Sequence, residues 1–175
     1  MSHPDGLPDL FVDRSLGRVR VPELLRAAGL RLMTLSERYG IPADETVPDD
    51  WWLRDAGQRG EAVLMKDARI RYRSAEKAAL VTYAVRCFCL TGGNLTSDEM
   101  AACFLDNLGA ISTACAEPGP FLYAVQRRRI KRLAFYRNDP EPCGSVGLSR
   151  GRLRGAARTS PPPRPACRGR RAGRR

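Results

Sequence analysis

The chain has 175 residues, 43% of them hydrophobic, so it can form one domain of ordinary size with its own core. Its formal net charge of +11 is uneven, because residues 144–175 contain ten arginines and no acidic residue or lysine. The rest of the chain is nearly neutral, so the charge does not make nucleic acid or an anionic membrane a partner of the folded part. No apolar run approaches the roughly 20 residues of a membrane span. We expect a soluble, cytoplasmic protein with no membrane partner.

The cysteines and the single histidine limit which kinds of metal site the chain can form. The six cysteines lack paired Cys-x-x-Cys spacing, and four of them fall in segments with strand or helix patterns. Buried free thiols are therefore expected. The single histidine, His3, lies in a segment predicted to be flexible, which excludes a histidine-rich zinc site.

Short apolar runs alternate with helical patterns along the chain. In chain order the predicted elements are strand 10–12, helix 21–28, strand 30–35, helix 49–57 or 49–60, strand 62–65, helix 74–84, strand 86–90 and helix 96–115. Thr96 and Glu99 form a capping box at the start of the last helix. A polar, proline-containing connection is expected before residue 49, and residues 121–125 and 130–135 are consistent with an edge strand or hairpin.

Repeated strand-then-helix units predict an α/β fold with three α/β/α layers and a central parallel sheet of Rossmann-like topology. Such sheets bind ligands at the carboxyl ends of their strands. We assign residues 9–136 to this domain, residues 1–8 to a flexible N-terminus and residues 137–175 to a disordered tail rich in arginine, proline and glycine.

Three aspartates fall at the same end of the predicted sheet. Asp13 follows the first strand, Asp67 follows the third strand after one lysine, and Asp49 opens the helix that leads into the third strand. Neighbouring carboxylates repel each other unless a cation compensates them, and oxygen-only ligands suit Mg²⁺ or Mn²⁺. A metal held there could polarise a phosphodiester and activate water. Each aspartate taken alone also has a structural interpretation as a helix cap, a turn residue or a member of a surface ion pair.

Four ordered segments resemble the PIN-like domains of VapC-type toxins over roughly residues 9–136: FVDRSLG from Phe11, DDWWL from Asp49, VLMKDARIR from Val63 and LTGGNLT from Leu90. The resemblance implies a metal-dependent endoribonuclease, the toxin of a type II toxin-antitoxin system, that hydrolyses RNA with metal-activated water. It also implies Mg²⁺ or Mn²⁺ as cofactor, and an RNA substrate and a cognate antitoxin protein as partners. A homodimer is a further possibility.

Carried over by position, the resemblance makes Asp13, Asp49 and Asp67 the catalytic metal ligands. Asn94 occupies the place near which many PIN domains have a fourth acid. An amide oxygen of Asn94 could act as a ligand, or Asp98 could serve instead, although an acid in the first turn of a helix is also favoured by the helix dipole. Asp50 competes with Asp49 for the position at the start of the helix.

Basic residues flank these acids, and they could hold RNA phosphates. The candidates are Arg14, Lys66, Arg69 and Arg71. Solvated loop charges are the competing interpretation. Trp51 and Trp52 could offer a stacking surface for a base, although at least one of them is expected in the core.

Three function classes remain open. The first is the metal-dependent ribonuclease, and the second is a catalytically weak PIN-like module that acts by binding RNA or protein, which Asn94 would permit. The third is a phosphoryl-transfer or receiver-like domain, but the first strand is not followed by the Asp-x-Asp pattern that a phosphatase of that kind needs, because Asp13 is followed by Arg14 and Ser15. The arginine-rich tail is either an RNA-binding arm or the product of reading a GC-rich gene beyond or out of its frame.

Overall fold

The part of the chain that the structure describes forms one six-stranded sheet, in the order β2-β1-β3-β4-β5-β6. The strands are β1 (Leu10–Val12), β2 (Leu32–Thr34), β3 (Ala62–Met65), β4 (Arg86–Leu90), β5 (Phe121–Gln126) and β6 (Arg129–Leu133). All neighbouring pairs are parallel except β5 and β6, which form an antiparallel hairpin. The structure is a computed structural model that describes residues 2–134, so the predicted tail at 137–175 and the last residue of the predicted strand 130–135 lie outside the described residues.

Within residues 2–134, six α-helices accompany the sheet: α1 (Arg20–Ala27), α2 (Leu35–Tyr39), α3 (Asp49–Arg59), α4 (Ser74–Thr82), α5 (Ser97–Asp106) and α6 (Leu108–Cys115). Alternate residues of a strand point to opposite faces, and here they enter two separate cores. Leu10, Val12 and Leu64 pack with α1, α5 and α6. Phe11 and Val63 pack with α2, α3 and α4. The predicted three-layer α/β/α fold is therefore confirmed.

The connection between β2 and α3 differs from the prediction, because it contains a helix. Thr34 accepts a hydrogen bond from the backbone N–H of Glu37, and the Glu37 carboxylate accepts one from the backbone N–H of Thr34. This capping box starts α2, and Gly40, at φ +80°, ends it. The helix is only one and a half turns long, which is too short to show an apolar periodicity in the sequence.

The helix predicted over residues 96–115 is divided in two. The Thr96–Glu99 capping box starts α5 as expected, but the helical path breaks at Asn107. The buried Asn107 side-chain amide donates to the backbone oxygens of Cys103 and Gln126, both at 2.7 Å, and so connects the break to the end of β5. This pairing is tertiary, so a continuous apolar face in the sequence could not reveal it.

The segment before β1 contributes to the folded structure. Leu7 is 3% exposed, and the ring nitrogens of His3 hydrogen bond with the backbone oxygen of Leu7 and the backbone N–H of Arg31. These contacts were not anticipated for a segment expected to be flexible. The assigned domain limits themselves stay predictions.

The four cysteines in the described residues are free and buried, as predicted: Cys87, Cys89, Cys103 and Cys115. Burial raises the pKa of the Cys89 thiol to about 12 and that of Cys87 well above its ordinary value, so both stay protonated. Across residues 2–134, no helix has the length and apolar character needed to span a membrane.

Candidate active site

Asp13 lies at the carboxyl end of β1, where it is 5% exposed. Its backbone N–H continues the sheet by donating to the backbone oxygen of Leu64 on β3. One carboxylate oxygen, Oδ2, accepts hydrogen bonds from the backbone N–H of Ser15 at 3.1 Å and from the Ser15 hydroxyl at 2.5 Å. Burial raises the pKa of Asp13, while the bonds from Ser15 oppose the rise and the nearby charge of Asp49 adds to it.

Ser15 also connects two loops of the site. Its hydroxyl oxygen accepts a hydrogen bond from the backbone N–H of Lys66, at 2.9 Å, in the loop after β3. The same hydroxyl thus holds the Asp13 carboxylate and the chain that leads to Asp67. Sequence reasoning missed this residue, although serine two positions after aspartate is a common pattern in turns.

Asp67 follows β3 and starts a short 3-10 helix at residues 68–71. Its Oδ1 accepts hydrogen bonds from the backbone N–H and the Nε–H of Arg69, and its Oδ2 lies 3.2 Å from Nη2 of Arg73. Partial burial would raise the pKa of Asp67, but the bonds from Arg69 and the charges of Arg73 and Arg69 lower it below its ordinary value. Asp67 therefore stays ionised at neutral pH.

Asp49 is the first residue of α3, but its side chain does not cap the helix. Instead, Oδ1 accepts hydrogen bonds from Arg14 Nη2 at 2.9 Å and from the Trp52 indole N–H at 3.0 Å. Trp52 is 1% exposed and packs against the Phe11 ring of β1, with ring centroids 5.6 Å apart. The prediction that an aspartate caps this helix is thus wrong for Asp49, because stronger charged and buried donors take its oxygens.

Two residues that sequence reasoning did not select, Arg73 and Glu76, complete this cluster. Arg73 Nη1 lies 3.1 Å from Glu76 Oε1 and 3.6 Å from Asp49 Oδ2. The Glu76 side chain is 13% exposed. Its pKa is raised by burial and by the charges of Asp49 and Asp67, against the lowering effect of Arg73. A glutamate in the first turn of a helix gives no local sign of such a role, because the helix dipole already explains its presence.

The donor set suits a hard divalent cation. Asp13, Asp49, Asp67 and Glu76 offer carboxylate oxygens alone, which are the ligands that Mg²⁺ and Mn²⁺ prefer. The Arg73 guanidinium already draws three of these carboxylates around one positive charge. In this arrangement no group of three acidic, histidine or cysteine side chains within residues 2–134 is placed to hold a metal ion directly. The four carboxylates therefore have the donor atoms that a divalent cation prefers. The Arg73 guanidinium, however, is paired with oxygens of three of them, which a metal would need as ligands.

The other predicted acidic or amide candidates, Asp50, Asp98 and Asn94, make none of these contacts in the described residues. Asp50 lines a cleft between α3 and α4 with Trp51 and Arg54. Asp98 is 64% exposed and pairs with Arg20 at 2.7 Å, which lowers its pKa. Asn94 is exposed in the loop between β4 and α5 and has no hydrogen bond to the three aspartates in the described structure.

The predicted RNA-binding residues differ in how available they are. Arg14 donates to the backbone oxygens of Asp44, Glu45 and Val47 as well as to Asp49, so its guanidinium fixes the loop before α3. Arg69 is 79% exposed beside Asp67, and Lys66 is half-buried. Arg71 lies over the exposed Tyr72 ring, 4.6 Å from its centroid. The side chain of Trp51, a candidate stacking residue, is also exposed.

A three-layer α/β/α fold around a mostly parallel sheet, with carboxylates at the carboxyl ends of β1 and β3, defines an α/β domain with an acidic site at the ligand-binding end of its strands. A family model described as "PIN like domain" matches residues 8–92, which include all four carboxylates but neither Asn94 nor Asp98. The chain is 39% identical over 127 residues to "Putative ribonuclease VapC45" of Mycobacterium tuberculosis (strain ATCC 25618 / H37Rv), covering 73% of this chain and 92% of that protein. The chain therefore belongs to the VapC-type PIN-like domain family. No solved structure gives a significant match.

Proposed function

We propose that this protein is a divalent-metal-dependent endoribonuclease and the toxin component of a type II toxin-antitoxin system in the cytoplasm. The observation that carries the proposal is the arrangement of Asp49, Asp67 and Glu76 around a single cationic group, beside the buried Asp13. The name of the mycobacterial relative supports ribonuclease activity in particular. RNA and a cognate antitoxin are the partners that follow from this function, and a homodimer stays a prediction.

In this proposal the residues of the site have three roles: they bind the metal, orient its ligands or bind RNA phosphates. Asp13, Asp49 and Asp67 would hold Mg²⁺ or Mn²⁺, with Glu76 as a fourth carboxylate in place of Asn94. When bound, the cation supplies Lewis-acid polarisation of the phosphodiester and activation of water. Ser15 orients Asp13, and Arg14 with Trp52 orients Asp49. Lys66, Arg69 and Arg71 are placed by sequence around Asp67, where their charges would hold RNA phosphates on either side of the cleaved bond.

The test is RNA cleavage by the purified full-length chain with Mg²⁺ or Mn²⁺, and with chelator. The variant is Asp67→Ala, and the matched control is Asp9→Ala. Asp9 is likewise an aspartate paired with an arginine, Arg31 at 2.7 Å, but it precedes β1 and so lies at the opposite, amino end of that strand. We expect metal-dependent cleavage by the wild type and the control. We expect the cleavage rate of Asp67→Ala to fall roughly 10- to 100-fold or more. Losses of that size are typical even for residues that only hydrogen bond to a metal's ligands.

Cleavage that persists with chelator, or in the Asp67→Ala variant, would refute the proposed chemistry. A second function, RNA or protein binding by a catalytically weak module, is favoured by one observation: the carboxylates are engaged by Arg73 rather than gathered as metal ligands. Wild type that binds RNA but leaves it intact at millimolar Mn²⁺ would support that alternative.

A further inference from the structure

Arg73 is the residue at which the acidic side chains of this site meet. It immediately precedes α4, and its side chain is 47% exposed. Its Nη2 lies 3.2 Å from Asp67 Oδ2, and its Nη1 lies 3.6 Å from Asp49 Oδ2 and 3.1 Å from Glu76 Oε1. One guanidinium thus contacts carboxylates from three parts of the chain: the start of α3, the loop after β3 and the first turn of α4.

The neighbouring arginines are held differently. Arg69 contacts Asp67 alone among the acids of the described residues, and it is mostly exposed. Arg14 contacts Asp49, but three backbone oxygens hold the same guanidinium in the loop before α3. Arg73 therefore combines contacts to several carboxylates with freedom to move, since its accepting groups are all side chains and nearly half of it faces solvent.

A divalent cation and this guanidinium need the same oxygens. Glu76 accepts hydrogen bonds from Arg73, and the Asp49 and Asp67 oxygens are ion-paired with the same guanidinium. Oxygens paired in this way are not free to ligate a metal, and two cations at one cluster repel each other. The guanidinium can leave without creating a buried unpaired charge, because solvent already reaches it.

We propose that Arg73 is the internal counter-ion of this acidic cluster and that a divalent cation binds by displacing its guanidinium from Asp49 and Asp67. Arg73 then lowers the affinity of the site for metal and holds the carboxylates together in its absence. The inference rests on the proposed metal-dependent function, so its test measures metal binding rather than cleavage.

The experiment is calorimetric titration of Mn²⁺ into the full-length wild type, Arg73→Gln, Arg73→Lys and the control Arg31→Gln. Arg31 pairs with Asp9 at the amino end of β1, so this control removes the same formal charge without changing a residue of the acidic cluster. We expect Arg73→Gln to bind Mn²⁺ about five- to tenfold more tightly, which is the size expected for removing a half-exposed cation that contacts three carboxylates. We expect Arg73→Lys to fall between it and the wild type, because one ammonium cannot span three carboxylates in the same way. We expect Arg31→Gln to stay within about twofold of the wild type.

A second measurement keeps the test decisive if Arg73→Gln does not fold. In NMR spectra of the wild type, the Nε–H signal of Arg73, assigned by its loss in Arg73→Lys, should shift as Mg²⁺ saturates the site. Equal Mn²⁺ affinity of wild type and Arg73→Gln, an equal gain in Arg31→Gln, or an Nε–H signal unmoved at saturation would each overturn the inference while leaving the metal site intact. Absence of Mn²⁺ binding in every variant would overturn both the inference and the proposed metal dependence.

Discussion

Replacing Ser15 by alanine tests whether the site depends on the residue that holds the Asp13 carboxylate. The change removes the hydroxyl that donates to Asp13 Oδ2 and accepts from the backbone N–H of Lys66. A hydrogen bond to a charged group contributes about 1.5–3 kcal/mol. Ser15 is exposed, so water can replace part of the loss, and we expect the free energy of unfolding to fall by roughly 1.5 kcal/mol. For a domain of this size that lowers the Tm by about 5 °C.

The second expected effect of Ser15→Ala concerns pH. The bonds from Ser15 favour the ionised carboxylate, so their loss raises the pKa of Asp13 further. Because a ligand carboxylate must be ionised, the acid limb of Mn²⁺ binding should move to higher pH. Ser15→Thr keeps the hydroxyl, and the exposed position accommodates its methyl group, so it should restore both the stability and the pH profile. A Ser15→Ala variant that is destabilised but keeps the wild-type acid limb would show that Ser15 has only a structural role.

Two further substitutions follow from the same contacts. Because burial raises the pKa of Asp13 in the folded state, ionising it costs stability as pH rises from its unfolded pKa through its folded pKa. Asp13→Asn should therefore raise the Tm at neutral pH in the presence of chelator while it abolishes Mn²⁺ binding, and a lower Tm in differential scanning calorimetry would contradict this reasoning. Arg14→Lys should lower the free energy of unfolding in urea titrations by about 2 kcal/mol, since one ammonium cannot replace donors to three backbone oxygens and Asp49. An unchanged urea midpoint would show that these bonds contribute little.

Sequence patterns predicted those parts of the fold in which the signal is local. The strands at residues 62–65 and 86–90 are short apolar runs between turn or charged residues, and their observed limits match the prediction. The helix from Thr96 was marked by its capping box. The break at Asn107 was not predictable in the same way, because an amide bonded to a strand 19 positions away leaves the helical periodicity of the sequence unchanged.

The same difference between local and tertiary signals separates the site residues that the sequence predicted from those that it did not. Asp13 and Asp67 could be selected because an apolar run in the sequence marks where a buried parallel strand ends. A side chain at that carboxyl end lies where such sheets bind ligands. Arg73 and Glu76 follow no strand, and their placement depends on how α4 packs beside the start of α3. For Arg14 the structure adds contacts that the sequence did not indicate. Its position beside Asp13 suggested an RNA contact, which stays a prediction, and its guanidinium also donates hydrogen bonds to the loop before α3.

The four carboxylates of the site differ in how their negative charge is compensated. Asp49, Asp67 and Glu76 each have a guanidinium within ion-pairing distance, whereas in the described residues Asp13 has none and relies on Ser15 for its hydrogen bonds. Among these four carboxylates the most deeply buried one, Asp13, is thus the one without an ion-pairing partner, and burial raises its pKa. A cation near Asp13 would therefore relieve more unfavourable free energy than one bound at the outer three acids alone. This imbalance favours an ion that contacts Asp13 together with Asp49, and it is the physical reason to expect a metal at the carboxyl end of β1 rather than further out along α4.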